Sequence, residues 1–251
     1  MESKLQIENR ENLSNAKASV KNEWFIATAF LLAYGLFNNL FPMGAGLLYK
    51  WFNPSITAEA VESFIAIMIA LTPILIFCLL AFPYKKMFKE VPIKWSQFKV
   101  KDIGIGILIT LLIVLSNAII SLIGVQFSYA ASSDNQNMIN DLSVNFPILI
   151  FITTVLIAPI VEEFFYRKLI MGHIFKHYAK TGLLVSSILF GFAHFSIDSL
   201  IYNFNPFNIL SYIVMGFFFG LIYYKTKRIE ASIVTHLINN LMSMSIVFLV
   251  M

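Results

Sequence analysis

The chain has 251 residues, of which 58% are hydrophobic and 13% are charged, and its formal net charge is +4. Soluble domains carry about 25% charged residues because their surfaces face water, so this composition argues against a soluble domain. Its apolar residues form runs long enough to cross a bilayer, which predicts a polytopic integral membrane protein. The positive charge does not indicate a nucleic-acid partner, because the basic residues mark one membrane face.

The chain begins with a polar segment, residues 1–23, which has no cleavable signal sequence and is expected to be a cytoplasmic tail. Residues 24–251 are expected to form a single transmembrane helical domain. A spanning helix needs about 20 apolar residues. Seven runs predict an all-α bundle of about seven to eight spans: 24–41, 58–82, 103–125, 146–175, 182–196, 208–224 and 230–250. The fifth run is short enough to be partly re-entrant, and the fourth is long enough to project into the cytoplasm.

The lysine and arginine residues predict the orientation of this bundle. If all seven runs span, 17 of the 18 basic residues fall on one side, and only Lys50 falls on the other. Cytoplasmic loops are enriched in lysine and arginine, so the N-terminus is predicted inside and the C-terminus outside. The small size and the lack of organelle-targeting signals indicate a bacterial plasma membrane.

Two adjacent carboxylates, Glu162 and Glu163, lie inside the fourth apolar run. Each charge placed centrally in a membrane helix costs roughly 2.5–3.5 kcal/mol. Glu163 and Arg167 are four residues apart, in the favourable order for an ion pair on one helix face. Glu162 points about 100° away from Glu163, which leaves one carboxylate that Arg167 does not serve. This surplus favours a functional site over a structural charge cluster.

The fifth run contains His194, preceded by the small residues Gly191 and Ala193. Small residues let another helix, or an extended substrate, approach closely. Counted from the predicted cytoplasmic ends of their helices, Glu162, His194 and His236 lie roughly 20, 18 and 9 Å deep at 1.5 Å per residue. We therefore expect these side chains to converge in a cavity that opens toward the cytoplasm.

In the last run, His236 and Asn240 lie four residues apart and project from one helix face. Asn239 is angled away from that face. His173 and His177 are also four residues apart and resemble half of a metal site, but they lie at the predicted cytoplasmic mouth. We interpret that second pair as a solvated helix face.

A carboxylate with two imidazoles suits hydrolysis in two ways. Glu162, His194 and His236 could bind Zn²⁺ and leave one position for water. Alternatively, Glu162 and His194 could deprotonate a water molecule directly, while His236 and Asn240 donate hydrogen bonds to the developing oxyanion. No serine lies in a nucleophile-elbow pattern, and the single cysteine, Cys78, lies in an early span away from these histidines. Water is therefore the expected nucleophile.

Three motifs occur in order on successive membrane helices: Glu-Glu-x-x-x-Arg, Phe-x-x-x-His and His-x-x-x-Asn. Together they resemble the CAAX-protease and bacteriocin-processing family (CPBP, or Abi), whose eukaryotic relatives trim prenylated CAAX proteins. The resemblance covers roughly residues 146–245, the expected peptidase core, and no motif residue departs from the pattern. It implies that Glu162 and His194 activate water. It implies that His236 and Asn240 stabilise the oxyanion, and that Glu163 and Arg167 support the site.

The resemblance further implies an intramembrane endopeptidase that acts on a membrane-associated peptide or protein within the lipid bilayer. Bacterial members are associated with peptide processing, bacteriocin immunity and cell-surface regulation. Between the two chemistries, the glutamate-based mechanism without a metal is preferred. The main alternative is a non-enzymatic immunity factor or peptide-binding scaffold that uses the same cavity. A transporter is disfavoured because the sequence shows no broken-helix repeat.

Overall fold

The computed structural model describes residues 4–130, 132–195 and 197–250, and it describes residues 4–21, 39, 134, 197, 198 and 250 by their backbone alone. The described residues form helices joined by short connections and contain no strand, which confirms the all-α prediction. The α-helices are α1 Lys4–Phe52, α2 Ala58–Phe88, α3 Lys101–Gln126, α4 Asp134–Asn145, α5 Pro147–Phe151, α6 Ala158–Glu163, α7 Ala179–Phe192, α8 Ile197–Tyr202, α9 Pro206–Thr226 and α10 Ile229–Val250.

Six helices in the described part of the chain are long and apolar enough to cross a membrane: Asn22–Phe52, Ala58–Phe88, Lys101–Gln126, Pro147–Ile174, Pro206–Thr226 and Ile229–Leu249. The protein is therefore an integral membrane protein with a polytopic helical bundle. The fifth apolar run forms α7, which has 14 residues and is about 21 Å long at 1.5 Å per residue. It is shorter than the hydrocarbon layer, in agreement with the short segment predicted there.

The polar segment predicted at residues 1–23 is only partly covered by the structure. Residues 1–3 lie outside the described residues, and from Lys4 the backbone is helical and continuous with the first span as part of α1.

The fourth span, Pro147–Ile174, is not a regular α-helix. Two π-helical segments, Ile152–Ile157 and Phe164–Ile174, interrupt it on either side of α6. In the first segment the Ala158 N–H donates to the Thr153 carbonyl, five residues back. The next carbonyl, that of Thr154, would need the N–H of Pro159, which proline lacks. The Thr154 carbonyl is thus left for a side chain, and such π-helical interruptions are frequent at functional sites.

All four stretches that carry the basic residues meet at one end of the bundle, called the basic end below. Four contacts join them: Lys176 Nζ to Glu23 at 2.9 Å, Lys168 Nζ to Glu90 at 3.0 Å, the Lys94 N–H to Glu230 Oε1 at 2.7 Å, and Arg228 Nη2 to Asp102 Oδ1 at 2.7 Å. The structure therefore confirms that these stretches share one side. That this side is the cytoplasmic one stays a prediction.

The opposite end of the bundle contains α4 and the segments on either side of it. The Tyr212 hydroxyl of α9 lies 3.0 Å from Ser133 Oγ and accepts a hydrogen bond of 3.2 Å from Asn135 Nδ2. Two further side chains of the α8–α9 region, Asn205 and Asn208, donate to the carbonyls of residues 130 and 132. These bonds fix α4 across the bundle at the end farthest from the basic loops.

His173 does not lie on a solvated helix face, and that interpretation is wrong. Its side chain is 11% exposed, and its Nε2 lies 3.2 Å from Glu90 Oε1 and 2.9 Å from the Tyr84 hydroxyl. Counting residues from the end of each helix could not reveal this contact, because Glu90 belongs to the α2–α3 connection, which folds back over the end of the fourth span. His177 is exposed, as predicted.

Glu90 is the centre of this cluster at the basic end. Partial burial raises the pKa of Glu90, but hydrogen bonds with His173, Tyr84 and Lys168 outweigh it and lower the pKa to about 2. A carboxyl whose pKa is lower in the folded than in the unfolded state stabilises the fold above its unfolded pKa. That stabilisation is therefore complete at neutral pH and is lost as the pH falls from about 4.5 to about 2.

We predict that Glu90→Gln lowers the free energy of unfolding by about 1–3 kcal/mol at pH 7, because it removes a hydrogen-bonded charge. The difference from wild type should shrink as the pH is lowered from 5 to 3. Thermal unfolding in detergent, followed across this range, measures both effects. Glu62→Gln, at an exposed position on α2, is the matched control and should change little. A difference that is independent of pH would contradict the role given to the Glu90 charge.

Candidate active site

A fully buried carboxylate, Glu163, holds the polar centre of the bundle together. Its Oε2 lies 3.0 Å from Arg167 Nε and accepts a hydrogen bond of 2.5 Å from Ser232 Oγ, and its Oε1 lies 3.0 Å from His236 Nδ1. The ion pair predicted from the four-residue spacing is therefore present. A charge without access to water needs partners of this kind, because desolvation would otherwise cost several kcal/mol.

Arg167 connects this carboxylate to two other helices. The guanidinium is also fully buried, and it donates through Nη1 to Ser186 Oγ at 3.0 Å and through Nη2 to the Gly216 carbonyl at 3.1 Å. Its Nε contact with Glu163 is close but does not have hydrogen-bond geometry, so that contact is electrostatic. Arg167 thus ties the fourth span to α7 and α9.

His194 lies just beyond the C-terminal end of α7. Its Nδ1 lies 2.7 Å from the Phe190 carbonyl, and because a carbonyl only accepts, Nδ1 carries the proton. Its ring stacks on Tyr212, with ring centres 4.4 Å apart. A side-chain carbon at Gly191 would lie 2.3 Å from Ile213 of α9, so the small residue predicted to allow close helix approach does so here.

His236 is oriented in the same way by the buried carboxylate. Its Nδ1 faces Glu163 Oε1, and its ring stacks on Phe219 with centres 4.2 Å apart. In both histidines Nδ1 is occupied, so Nε2 is the nitrogen left to face the site. The tautomer of each ring follows from the partner of its other nitrogen.

Glu162, the neighbour of the buried Glu163, faces these two nitrogens. Its Oε2 lies 3.9 Å from His194 Nε2 and 3.9 Å from His236 Nε2. Both distances exceed those of a direct hydrogen bond, and Oε2 is a buried oxygen with no hydrogen-bond partner among the described residues. The structure therefore brings together the carboxylate and the two imidazoles of the three motifs, with a gap between them.

Asn240 lies on the same face of α10 as His236, one turn farther along. Its Nδ2 donates to the freed Thr154 carbonyl at 2.9 Å, and its Oδ1 accepts from Asn239 at 3.2 Å. These two bonds fix the amide and leave one N–H of Nδ2 for another acceptor. Asn239, which the sequence placed off the functional face, also borders the site cavity.

The site cavity has a volume of about 270 Å³, and Glu162, His194, His236 and Asn240 all line it. It continues to residues 135–142 of α4, at the end opposite the basic loops. Toward the basic end, Glu163, Phe164, Phe165 and Arg167 are completely buried. The expectation that the cavity opens toward the basic end is therefore wrong: the buried ion pair closes it there.

The three candidate zinc ligands are spaced more widely than the ligands of one tetrahedral zinc ion. With metal–ligand bonds of about 2.0–2.1 Å, neighbouring ligand atoms lie about 3.3 Å apart, whereas both measured distances to Glu162 are 3.9 Å. Among the described residues, no group of three His, Cys, Asp or Glu side chains is spaced to hold a metal ion. The residues as they stand do not fit a zinc ion.

The fold and this site define the class of the protein: a polytopic membrane protein with a buried carboxylate–imidazole centre. Residues 144–242 match the family described as type II CAAX prenyl endopeptidase Rce1-like. No solved structure matches the chain.

Three bacterial relatives are similar to the chain. One is the proposed membrane peptidase YdiL of Bacillus subtilis, which is 34% identical over 118 residues, or 45% of this chain and 43% of YdiL. Another is the membrane-embedded CAAX protease MroQ of Staphylococcus aureus, which is 30% identical over 43% of this chain and 42% of MroQ. The UPF0177 protein YvdC of Lactococcus lactis is 27% identical over 61% of this chain and 55% of YvdC.

The chain thus spans about half the length of the curated relatives that it matches. The matched family segment contains all three sequence motifs, whereas the α4 residues of the cavity wall lie outside it. The match to the type II CAAX prenyl endopeptidase family over residues 144–242 confirms the resemblance drawn from the motifs.

We predict that Glu163→Gln lowers the free energy of unfolding in detergent by about 3–5 kcal/mol, because it leaves Arg167 buried without its counter-charge. Glu162→Gln is the matched control: it makes the same chemical change one residue away, on a carboxylate whose Oε2 has no partner. Thermal unfolding of the two variants should therefore separate them clearly. Equal stability would show that the buried ion pair does not hold the site together.

Proposed function

We propose that the protein is an intramembrane endopeptidase that hydrolyses a peptide bond with a water molecule activated by Glu162 and His194. One observation carries this proposal: the buried, unpartnered Glu162 Oε2 faces two imidazole nitrogens, each 3.9 Å away. A water molecule with hydrogen bonds of about 2.8 Å to these atoms fits that gap. The site thus holds a base and a place for its nucleophile.

The position of the proton on the His194 ring supports its role beside Glu162. Because Nδ1 donates to the Phe190 carbonyl, the neutral ring presents an unprotonated Nε2 that can accept a hydrogen bond from water. Glu162 takes the proton as the water oxygen attacks the scissile carbonyl carbon. The protonated carboxyl then delivers that proton to the leaving amine as the carbon–nitrogen bond breaks.

The oxyanion formed in this step needs donors, and His236 and Asn240 supply them. With Nδ1 directed at Glu163, His236 donates from Nε2 only as an imidazolium. In that state the buried cluster has two carboxylates, one guanidinium and one imidazolium, so its net charge is zero. The remaining N–H of Asn240 provides the second donor.

The spacing of Glu162, His194 and His236 favours this direct mechanism over one in which the three side chains bind zinc. We therefore propose that catalysis uses only side chains of this chain and requires no cofactor. A bound water in place of a metal also explains how a 3.9 Å separation can be productive.

The proposed substrate is a membrane-associated peptide or protein, and the proposed location is a bacterial plasma membrane with the basic end in the cytoplasm. The similarity to YdiL and MroQ, a proposed membrane peptidase and a membrane-embedded CAAX protease, supports the reaction class. A non-enzymatic immunity factor or scaffold needs no unpartnered carboxylate beside two oriented imidazoles, and nothing in the site favours it.

We predict that Glu162→Gln preserves the fold but lowers peptide-bond hydrolysis by roughly 100-fold or more, because it removes the base and keeps the shape. The measurement compares purified wild type and variant in lipid vesicles, with membrane peptides as substrates and products identified by mass spectrometry. Ser245→Ala is a control on the exposed side of α10 and should retain activity. Normal turnover by a well-folded Glu162→Gln protein would refute the assignment.

A second prediction separates the two chemistries. If Asn240 donates to the oxyanion, Asn240→Ala should raise the barrier by about 3–4 kcal/mol, which is the typical loss for one such donor. Active, purified protein should contain far less than one zinc per chain by mass spectrometry, and prolonged chelation should leave turnover intact. One zinc per chain, together with activity that is lost on chelation and restored by added zinc, would overturn the direct mechanism.

A further inference from the structure

The direction in which the active-site cavity runs is visible on three of the helices that line it. Along α10 the lining continues from His236 to Ser243 and Met244, away from the basic end. Along the fourth span it runs from Tyr166, one turn beyond Glu162, back to Ile150, close to the start of that span at the opposite end. Along α1 it continues from residue 34 to residue 38, again away from the basic end. All three helices give the same direction.

On the other side of the catalytic residues the bundle is solid. Glu163, Arg167, Phe164, Phe165 and Leu169 are completely buried, with no exposed surface on any of them. These residues occupy the space between the site and the basic loops. A peptide arriving from the basic end would have to displace the ion pair that holds His236 in place.

A short helix, α4, lies over the cavity at the opposite end. Its inner face contributes Asn135, Gln136, Ile139 and Leu142 to the cavity wall. Its N-terminal end is tied to α9 by the Tyr212 hydroxyl, which lies 3.0 Å from Ser133 Oγ and accepts a hydrogen bond from Asn135 Nδ2. Ile139 and Leu142 of α4 also pack against a buried apolar cluster of the bundle. A polar helix of 12 residues is too short to span the bilayer, so α4 lies at the membrane boundary, over the mouth of the cavity.

The lining also indicates what kind of segment the cavity accepts. Among the described lining residues, the ionisable groups other than tyrosine are Glu162, His194 and His236, and neither lysine nor arginine is present. The positive charge that His236 carries in the proposed mechanism is already paired with Glu163, so a substrate carboxylate would be desolvated without a counter-charge of its own, at a cost of several kcal/mol. Five amide side chains line the walls: Asn38, Asn135, Gln136, Asn239 and Asn240. They offer donors and acceptors to an extended backbone, which needs both when it leaves water.

We infer that the site takes an uncharged, extended segment of a substrate presented at the membrane face opposite the basic loops, and that this segment enters beside α4. This inference rests on the proposed peptidase function and names its substrate class. With the basic end in the cytoplasm, the substrate is a segment exposed on the outer face of the membrane.

Cysteine accessibility tests the direction of entry without any need for catalysis. In a Cys78→Ala, Glu162→Gln background, Ser243→Cys places one thiol in the cavity. Lys50→Cys and Lys99→Cys mark the two ends, since both positions are exposed. A membrane-impermeant maleimide is added to intact cells and, separately, to inverted vesicles. Ser243→Cys should react only in the preparation in which Lys50→Cys reacts.

A matched position on the same helix controls for access through the lipid or through unfolded protein. The side chain of Leu241 is 40% exposed on the outer surface of α10, so Leu241→Cys faces hydrocarbon and should not react from either side. Reaction of Ser243→Cys in the preparation that labels Lys99→Cys, or in neither preparation, overturns the inferred direction.

The substrate class is tested on the same protein by protection of the Ser243→Cys thiol. The probes are a blocked eight-residue peptide of alanine, asparagine and leucine and its twin with two central aspartates. The uncharged peptide should slow labelling severalfold, and the charged twin should not. Equal protection by both, or none by the uncharged peptide, overturns the substrate class. Cleavage by the protein with Glu162 intact is measured separately: its absence would count against the peptidase and leave the accessibility result standing.

Discussion

The arrangement of the site depends on the burial of one carboxylate. Glu163 is removed from water in the middle of a membrane protein, and it remains charged only because Arg167, Ser232 and His236 surround it. Arg167 in turn reaches α7 and α9. The requirement to satisfy one buried charge therefore sets how deeply four helices sit relative to each other, and it orients the imidazole that faces the reacting groups.

The two adjacent glutamates show how one helix can serve structure and chemistry at once. Glu163 points into the bundle, where every oxygen has a partner, and Glu162 points into the cavity, where Oε2 has none. This division lets Glu162 lack a partner, because the contacts of its neighbour Glu163 hold the surrounding helices in place and offset the electrostatic cost. Both glutamates lie in α6, and adjacent residues of a regular α-helix point about 100° apart, so one faces the bundle and the other faces the cavity.

Much of this site could be predicted from the sequence, because its residues follow a strict spacing on regular helices. The same four-residue spacing also extends to two serines that the motifs do not include. Ser232, His236 and Asn240 lie four residues apart, as do Ser186, Phe190 and His194. The two serines that hold the Glu163–Arg167 pair could have been found by extending each histidine stripe one or two turns toward the basic end.

Other features could not be predicted in this way, for physical reasons. The mouth of the cavity depends on α4, a polar segment without a long apolar run, whose position is set by hydrogen bonds to Tyr212 and by packing of Ile139 and Leu142 on the bundle. The burial of His173 depends on a connection that folds back over a helix end. Depth counting also treats each span as a straight α-helix, and the fourth span departs from that geometry in two places.

Pro159 shows how one span can govern a side chain on another without touching it. The missing N–H leaves the Thr154 carbonyl unpaired, and Asn240 of α10 takes that carbonyl as its partner. An alanine or leucine at position 159 would look harmless in an apolar membrane helix, and it would restore a backbone donor to compete for the same oxygen. The direction of the Asn240 amide therefore depends partly on the absence of an N–H at Pro159.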